Sequence, residues 1–537
     1  MTEGTHNELK KHNIKVSTVV FMIFCLCAAG AYGIEEMIPQ AGPGLTIVML
    51  IVLPFVWSTP LGLVAAELGS ARPQEGGYYK WVQEALGEFW GFQAGWWRTI
   101  SIYIDNTLYV ILAGGYLATA FGLTALPEFF IKAGIILIFT YINIRGIRDV
   151  GIISTILSIL VIVAFSLVAV VGFANWNQNP MIPFIPEGQS LIESIGYGIA
   201  IALWMYSGYE SMSTVAGEVE NPQVIPKATL ITVPLIMAVY IFPTVAGLAS
   251  IGQWESWATD GGISFSDVPT TYLGPAFGLF FVVVAVLAQC SIYNTYIASG
   301  SRGFFTLAGD NLAPPILVRV DKKHGVPVVA VLSVAITNLV LCNFAFGVIV
   351  VVDVFMLMSA YILIFISAMV LRRKIPDSER PFKIPGGNAF MYVLCTIPIL
   401  IAFVSYFING TDYFIGGMIG IISGPILYVI WKRMYGGLAT TDPVKYPINP
   451  RTKLAIGDLK RIAGIFIGLG IMGILGAYFL PWYEGSWGND YYLETYGIEN
   501  MLDLMVMWIK YVGIASIIFG GVLGIFGMKI EPKSIRA

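Results

Sequence analysis

The 537-residue chain reads as an all-α polytopic membrane protein of about fourteen transmembrane helices, built on a five-plus-five inverted repeat. Three observations predict this. Hydrophobic residues make up 57% of the chain and charged residues only 12%, with a mean hydropathy of +0.76; soluble domains carry about 25% charged residues. Apolar runs of about 20 residues, the length of a bilayer crossing, recur along the whole chain. Two of them, the first and the sixth, are interrupted by glycine and followed by glutamate in one pattern.

The spans fall at 17–41, 44–69, 89–121, 127–144, 150–175, 191–216, 228–252, 272–301, 327–347, 348–371, 389–409, 413–433, 463–481 and 506–528. The ninth and tenth have almost no loop between them. The organisation expected is a tail at 1–16, a first five-helix repeat at 17–175 and an inverted second repeat at 191–371. Spans eleven and twelve follow at 389–433, a linker at 434–462, two additional spans at 463–528 and a closing tail at 529–537. The first apolar stretch is long and lacks a small-residue cleavage site, so it reads as a span and not as a cleaved leader.

Lys and Arg set the orientation. With both tails in the cytoplasm, 27 of the 30 basic residues fall on that side, and only Arg98, Lys132 and Lys510 fall elsewhere. This asymmetry predicts cytoplasmic N- and C-termini in a plasma-membrane protein. The outer loops are then acidic, and Glu128, Glu193, Asp412 and Glu484 among others have no basic residue expected beside them.

The first span carries Gly30-Ala31-Tyr32-Gly33-Ile34-Glu35-Glu36, and the sixth Trp204-Met205-Tyr206-Ser207-Gly208-Tyr209-Glu210. Gly33-Ile34-Glu35 and Gly208-Tyr209-Glu210 stand 175 residues apart, each in the first span of a five-span block. Five is odd, so the second block enters the membrane from the other side and the repeats are inverted. Ionisable groups at membrane depth are costly, and broken backbone is tolerated there only where it lines a cavity or is buried in protein. Paired interrupted spans point to a binding site near the midplane, where freed N–H groups attract carboxylates and freed carbonyls attract cations. No cofactor is needed. The competing reading is a kinked helix with its glutamates at the outer interface.

Over residues 15–435 the chain resembles the amino acid–polyamine–organocation (APC) superfamily of secondary transporters. The residues that carry the likeness are the break at Gly30 to Ile34, Val64-Ala65-Ala66-Glu67-Leu68 with Pro73-Gln74-Glu75-Gly76-Gly77-Tyr78, and Gly208-Tyr209-Glu210 with Ala216-Gly217-Glu218-Val219-Glu220-Asn221-Pro222. Glu35 and Ile104-Asp105-Asn106-Thr107-Leu108-Tyr109 are similar to the polyamine-uptake branch. Ser58-Thr59-Pro60-Leu61-Gly62-Leu63-Val64 is similar to glutamate/γ-aminobutyrate exchangers, and the sixth span to arginine/agmatine exchangers. The resemblance implies a LeuT/APC-type fold, alternating access, and substrate held between spans one, three, six, eight and ten, with Trp204 at the usual place of an aromatic gate. The chain departs from the pattern in its last two spans. It also departs at Ser158, which stands where several proton-coupled relatives carry lysine; a hydroxyl there suits a sodium site or an exchanger.

Glu35 and Glu36 lie about 100° apart on a helix, so one faces the pocket, and Glu35 fits the resemblance better. Its missing partner is a cationic substrate or, alternatively, Arg98. Asp105 reads as a ligand for a second amine or as a hydrogen-bond acceptor for a broken helix end. Glu210 reads as a gating, proton-linked or structural residue more than a direct contact. Gly30, Ala31, Tyr32, Gly33, Ile34, Tyr206, Ser207, Gly208, Tyr293 and Asn294 are candidates to line the pocket, with Asp353 as a further contact. Aromatic rings there suit alkylammonium groups. Glu67, Glu75 and Glu218 read as inner contacts with Arg72, Lys80 or Arg302.

The function expected is secondary transport of a cationic amine (polyamine, agmatine or basic amino acid), with exchange of a neutral or acidic amino acid as the alternative. The partners are that small molecule, the lipid bilayer and a proton or sodium ion. The absence of an intramembrane His, a zinc motif or a phosphate-binding loop argues against an enzyme. Gly468-Leu469-Gly470-Ile471-Met472-Gly473 imitates a dinucleotide motif but lies inside a span, where helix packing explains it better. The basic run from Lys432 to Arg461 is the orientation signal, and no nucleic-acid partner is expected.

Overall fold

The computed structural model describes residues 11–530 apart from 29, 30, 75, 222, 258–261, 345 and 486, and among these it is helical with only isolated β-bridges. Eleven helices are long and apolar enough to cross a membrane, and three shorter apolar ones at 16–27, 191–205 and 328–341 take the remaining expected places.

The first span is two helices, α1 (Val16–Ala28) and α2 (Ile34–Ala41). The second is α3 (Pro43–Leu53), which passes through a π turn at Pro54–Ser58 into α4 (Thr59–Ala71). A short helix absent from the span reading, α5 (Gly77–Leu86), precedes α6 (Glu88–Phe121), α7 (Ala125–Arg145) and α8 (Ile147–Ala174). The second group opens with α9 (Leu191–Met205), whose start is fixed by a capping box between Ser190 and Glu193. That helix ends at Met205, not near 216, and a non-helical stretch leads to a 3-10 turn at Ser211–Glu218. α10 (Val224–Ser250), the short α11 (Asp267–Leu273), α12 (Pro275–Gly309), α13 (Val328–Leu341) and α14 (Phe346–Lys374) complete it. The ninth span therefore stops at Leu341, and the tenth begins at Phe346. Then come α15 (Gly387–Ile408), α16 (Thr411–Tyr435), α17 (Asp458–Glu484), α18 (Gly488–Tyr496) and α19 (Met501–Ile530).

Both interruptions use the same backbone device. Gly33 has φ 105° and Gly208 φ 106°, a region that costs an L-residue about 1–2 kcal/mol. Around them α6 packs on α12 and α14, α1 on α8 and α10, and α2 on α9.

The additional pair, α17 and α19, is held by close glycine contact. A Cβ on Gly470 would lie 2.6 Å from the Gly513 carbonyl, so the glycine-rich stretch serves helix packing. The pair is tied to α16 at both ends. Asp458 accepts from the Tyr428 hydroxyl at 2.6 Å, and Glu484 accepts from the Thr411 amide at 2.6 Å and hydroxyl at 2.7 Å. Glu484, expected in an acidic outer loop, is thus fully buried.

Three ionic expectations are corrected. Glu128 has a basic partner, Lys132, at 2.5 Å one helical turn away. Glu218 does pair with Arg302, at 2.6 Å, but Glu67 pairs with Arg372 and Arg380 from the far end of the chain. Arg72 instead meets Glu84 and Glu379, and Lys80 meets Asp310. Glu128 thus takes its partner from its own helix, whereas Glu67 and Lys80 take theirs from distant ones. Glu75 lies outside the described residues.

Candidate functional site

The two broken spans meet. A Cβ on Gly208 would come within 2.8 Å of the Leu26 carbonyl, so only glycine lets the sixth span approach the end of α1. The Tyr240 hydroxyl reaches the carbonyls of both broken ends, Cys27 at 2.7 Å and Met205 at 3.1 Å, sharing its one proton. The Gly208 amide donates to the Tyr361 hydroxyl at 2.9 Å. From the π turn, the Trp57 indole donates to Ser207 Oγ at 3.2 Å and Ser58 to the Tyr206 carbonyl at 3.3 Å. Buried backbone groups freed by a helix break need such partners.

Between the breaks lies a narrow cavity of about 20 Å³, room for a water molecule. Leu26 and Cys27 line it from α1, Tyr32 from the first break, Tyr109 from α6, and Trp204 and Met205 from α9. Tyr240, Gln289 and Ile292 complete the wall. Tyr109 stacks on Trp204 with centroids 6.0 Å apart and on Tyr296 at 5.7 Å, while Tyr32 sits edge-on to Phe165 at 5.0 Å and Phe281 at 5.7 Å.

Four acids surround this box. Glu35 is 1% exposed and accepts from the Gly33 amide at 2.9 Å. Tyr32 and Tyr116 adjoin it, Glu36 beside it is half-buried, and among the described residues no cation pairs with Glu35. Arg98 is not its partner. Arg98 pairs with Glu210 at 2.7 Å, donates to Ser211 at 2.8 Å, and both charges are buried. Glu210 therefore joins α6 to the second break. Asp105 accepts from the Trp204 indole at 2.9 Å and from Tyr109 at 3.2 Å. Asp353 is fully buried and faces Asp105 and Arg98.

Not every candidate reaches the cavity. Ala31 and Ile34 are fully buried in the first break, and Gly30 lies outside the described residues. Tyr206 turns its hydroxyl to the Leu50 carbonyl at 2.8 Å, and Ser207 caps the Leu203 carbonyl at 2.6 Å. Tyr293 packs edge-on against Phe139 of α7, and the Asn294 amide faces Val150 and Ser154 of α8. Gln289 and Ile292 present α12 to the cavity instead; they lie about one turn or less from Tyr293, an offset that rotation about a helix decides. Ser158 donates to the Phe21 carbonyl at 3.1 Å and meets Cys25 Sγ at 2.8 Å, which also meets Ser291 at 2.7 Å. Sequence reasoning missed Cys27, Tyr240 and the Trp57–Ser207 contact. Among these only the polar Tyr240 within an apolar span carried any signal.

Two discontinuous helices crossing around a buried aromatic box define a LeuT-type membrane transporter. The architecture matches that of MhsT, solved in complex with L-phenylalanine, with a TM-score of 0.56 at 13% identity over 74% of this chain and 99% of that one. Residues 14–430 match the amino acid permease family, and the chain belongs to that family. It is 34% identical over 406 residues to a probable polyamine transporter of Arabidopsis thaliana, covering 73% of this chain and 78% of the relative. It is 31% identical over 411 residues to the polyamine transporter RMV1 of the same plant, covering 75% and 82%. The helices α17 and α19 lie beyond the family match.

Proposed function

We propose that this multi-pass transporter carries cationic amines, such as polyamines, agmatine or basic amino acids, by alternating access across the plasma membrane. The observation that carries this reading is Glu35, a buried carboxylate with no cationic partner among the described residues, set in a helix break beside aromatic rings. A substrate ammonium supplies the missing charge, and the Tyr32, Tyr109 and Trp204 rings suit its alkyl chain. The relatives named as polyamine transporters support the same substrate class.

The mechanism follows from the breaks. Residues 17–175 and 191–371 act as inverted repeats that rock about the cavity, with both tails cytoplasmic. Ion pairs Glu218–Arg302 and Lys80–Asp310 hold the inner side closed and exchange partners with water when it opens. Trp204, half-buried and bonded to Asp105, gates the cavity. Glu210 positions the second break through Arg98 and does not touch substrate. Ser158, with its proton committed to the Phe21 carbonyl, leaves no lysine to carry a coupling proton at that place. No covalent chemistry, cofactor or nucleic-acid contact enters the cycle.

Proteoliposomes loaded with arginine, 1,4-diaminobutane, glutamate or leucine, and exchanged against each labelled compound, test the substrate class. Cationic amines are expected to exchange; movement of glutamate or leucine alone refutes the reading. Glu35→Gln is expected to abolish cation uptake in a protein that still elutes as wild type, and unchanged kinetics would remove Glu35 from the pocket. Uptake with sodium replaced, and with the proton gradient collapsed, reports the coupling ion.

A further inference from the structure

Asp353 on α14 is 0% exposed, and its carboxylate oxygens lack a close, well-aligned donor; the Ser101 hydroxyl is its nearest hydrogen-bonding neighbour. A buried carboxylate left in that condition is expensive unless an outside group supplies charge or donors. Its polar neighbours are Asp105, Ser101 and Arg98, with the Tyr109 ring beside them. Arg98 makes no hydrogen bond to it. Its three nitrogens bond to Glu210 at 2.7 Å, Ser211 at 2.8 Å and Ser101 at 3.3 Å. Asp105 has only neutral donors, Trp204, Tyr109 and Tyr296. Three buried carboxylates thus share one guanidinium that is already engaged.

A single side chain separates this acidic pair from Glu35. One edge of the Trp204 indole, Cζ3, would lie 3.6 Å from a Cβ on Gly33, whose amide holds Glu35. The opposite edge, Nε1, donates to Asp105. The stacked Tyr109 and Tyr296 rings continue from the indole.

We propose that Asp105 and Asp353 form a second ammonium subsite behind Trp204, so that the favoured substrate is an α,ω-diamine with one charged end at Glu35 and the other between these two aspartates. The inference rests on the cationic reading and adds to it the requirement for two charges. The incoming ammonium displaces the indole N–H from Asp105 and gives Asp353 a charged hydrogen-bond donor, and the aromatic stack lies along the alkyl chain. Trp204 is then released from Asp105 only when the far end is filled, which couples gating to the second charge.

The test uses full-length protein in proteoliposomes and uptake of labelled 1,4-diaminobutane, competed by unlabelled 1,4-diaminobutane, N-acetyl-1,4-diaminobutane and butylamine. One charge-assisted contact corresponds to about tenfold to a hundredfold in affinity, so wild type should prefer the diamine over both monocations by that factor. Asp353→Asn should raise the diamine KM by a similar factor while shifting the monocation inhibition constants by less than about twofold. This variant is isosteric and removes an uncompensated charge; its elution profile and melting temperature report folding. Equal inhibition by N-acetyl-1,4-diaminobutane and the diamine in wild type overturns the proposal without any variant. So does an Asp353→Asn protein that weakens diamine and monocations alike, or neither. An Asp353→Asn protein that loses only its response to a proton gradient assigns the pair to coupling and also overturns it. Wild type that moves no cation at all sinks the cationic reading itself, a distinguishable result.

Discussion

Replacing Glu210 by glutamine removes one charge from the most deeply buried ion pair at the site. Arg98 and Glu210 are 1% and 0% exposed and lie 2.7 Å apart. At an effective dielectric near 20, unit charges 4 Å apart attract by about 4 kcal/mol. Removing one partner of a buried pair costs about 3–5 kcal/mol, because the other charge is left uncompensated. Asp105 and Asp353 also face Arg98 and recover part of this, so the lower end, about 3 kcal/mol, is expected. The assay is thermal melting of purified protein in detergent, paired with uptake. Glu210→Gln should melt clearly below wild type, and Arg98→Met should melt lower still, since it leaves Glu210, Asp105 and Asp353 all without their shared cation. Uptake should stay low in both, because the pair also holds the second break against α6. A Glu210→Gln protein that melts with wild type, or an Arg98→Met protein more stable than it, would refute the reasoning.

Gly208→Ala should impair uptake far more than Gly33→Ala. Both pay the positive-φ cost of about 1–2 kcal/mol, but the new Cβ strikes the Leu26 carbonyl at 2.8 Å in the first case and makes an ordinary contact with Trp204 at 3.6 Å in the second; comparable uptake rates would contradict the packing described. Glu484→Gln should lower the melting temperature by the equivalent of about 1–3 kcal/mol, through loss of charge-assisted bonds to Thr411. Its uptake should be unchanged, because the cavity lies elsewhere; a transport defect at normal stability would give α17 and α19 a part in the cycle.

The two breaks and the acidic residue beyond the first were legible as sequence because membrane burial makes glycine and glutamate conspicuous. That only one of Glu35 and Glu36 faces in followed from the helical period, and the choice of Glu35 came from the resemblance. The partner of Arg98 was not legible. Arg98 and Glu210 are 112 positions apart, and Glu35, Asp105, Glu210 and Asp353 all offered the same charge. Tyr206 and Ser207 were judged by proximity to a break and Tyr293 by its place in the eighth span, whereas their direction depends on how each helix is rotated in the bundle.

By itself the sequence determined the all-helical membrane architecture, the places where two helices must part, and which acids the lipid could not have left unattended. Hydrophobic length and backbone sterics are local properties, so a single chain reports them. Only the tertiary structure decided which carboxylate Arg98 satisfies, which rings wall the cavity and which aspartate is left without a charged hydrogen-bond donor. Those outcomes depend on distances between helices that meet from opposite ends of the chain, and no local pattern encodes them.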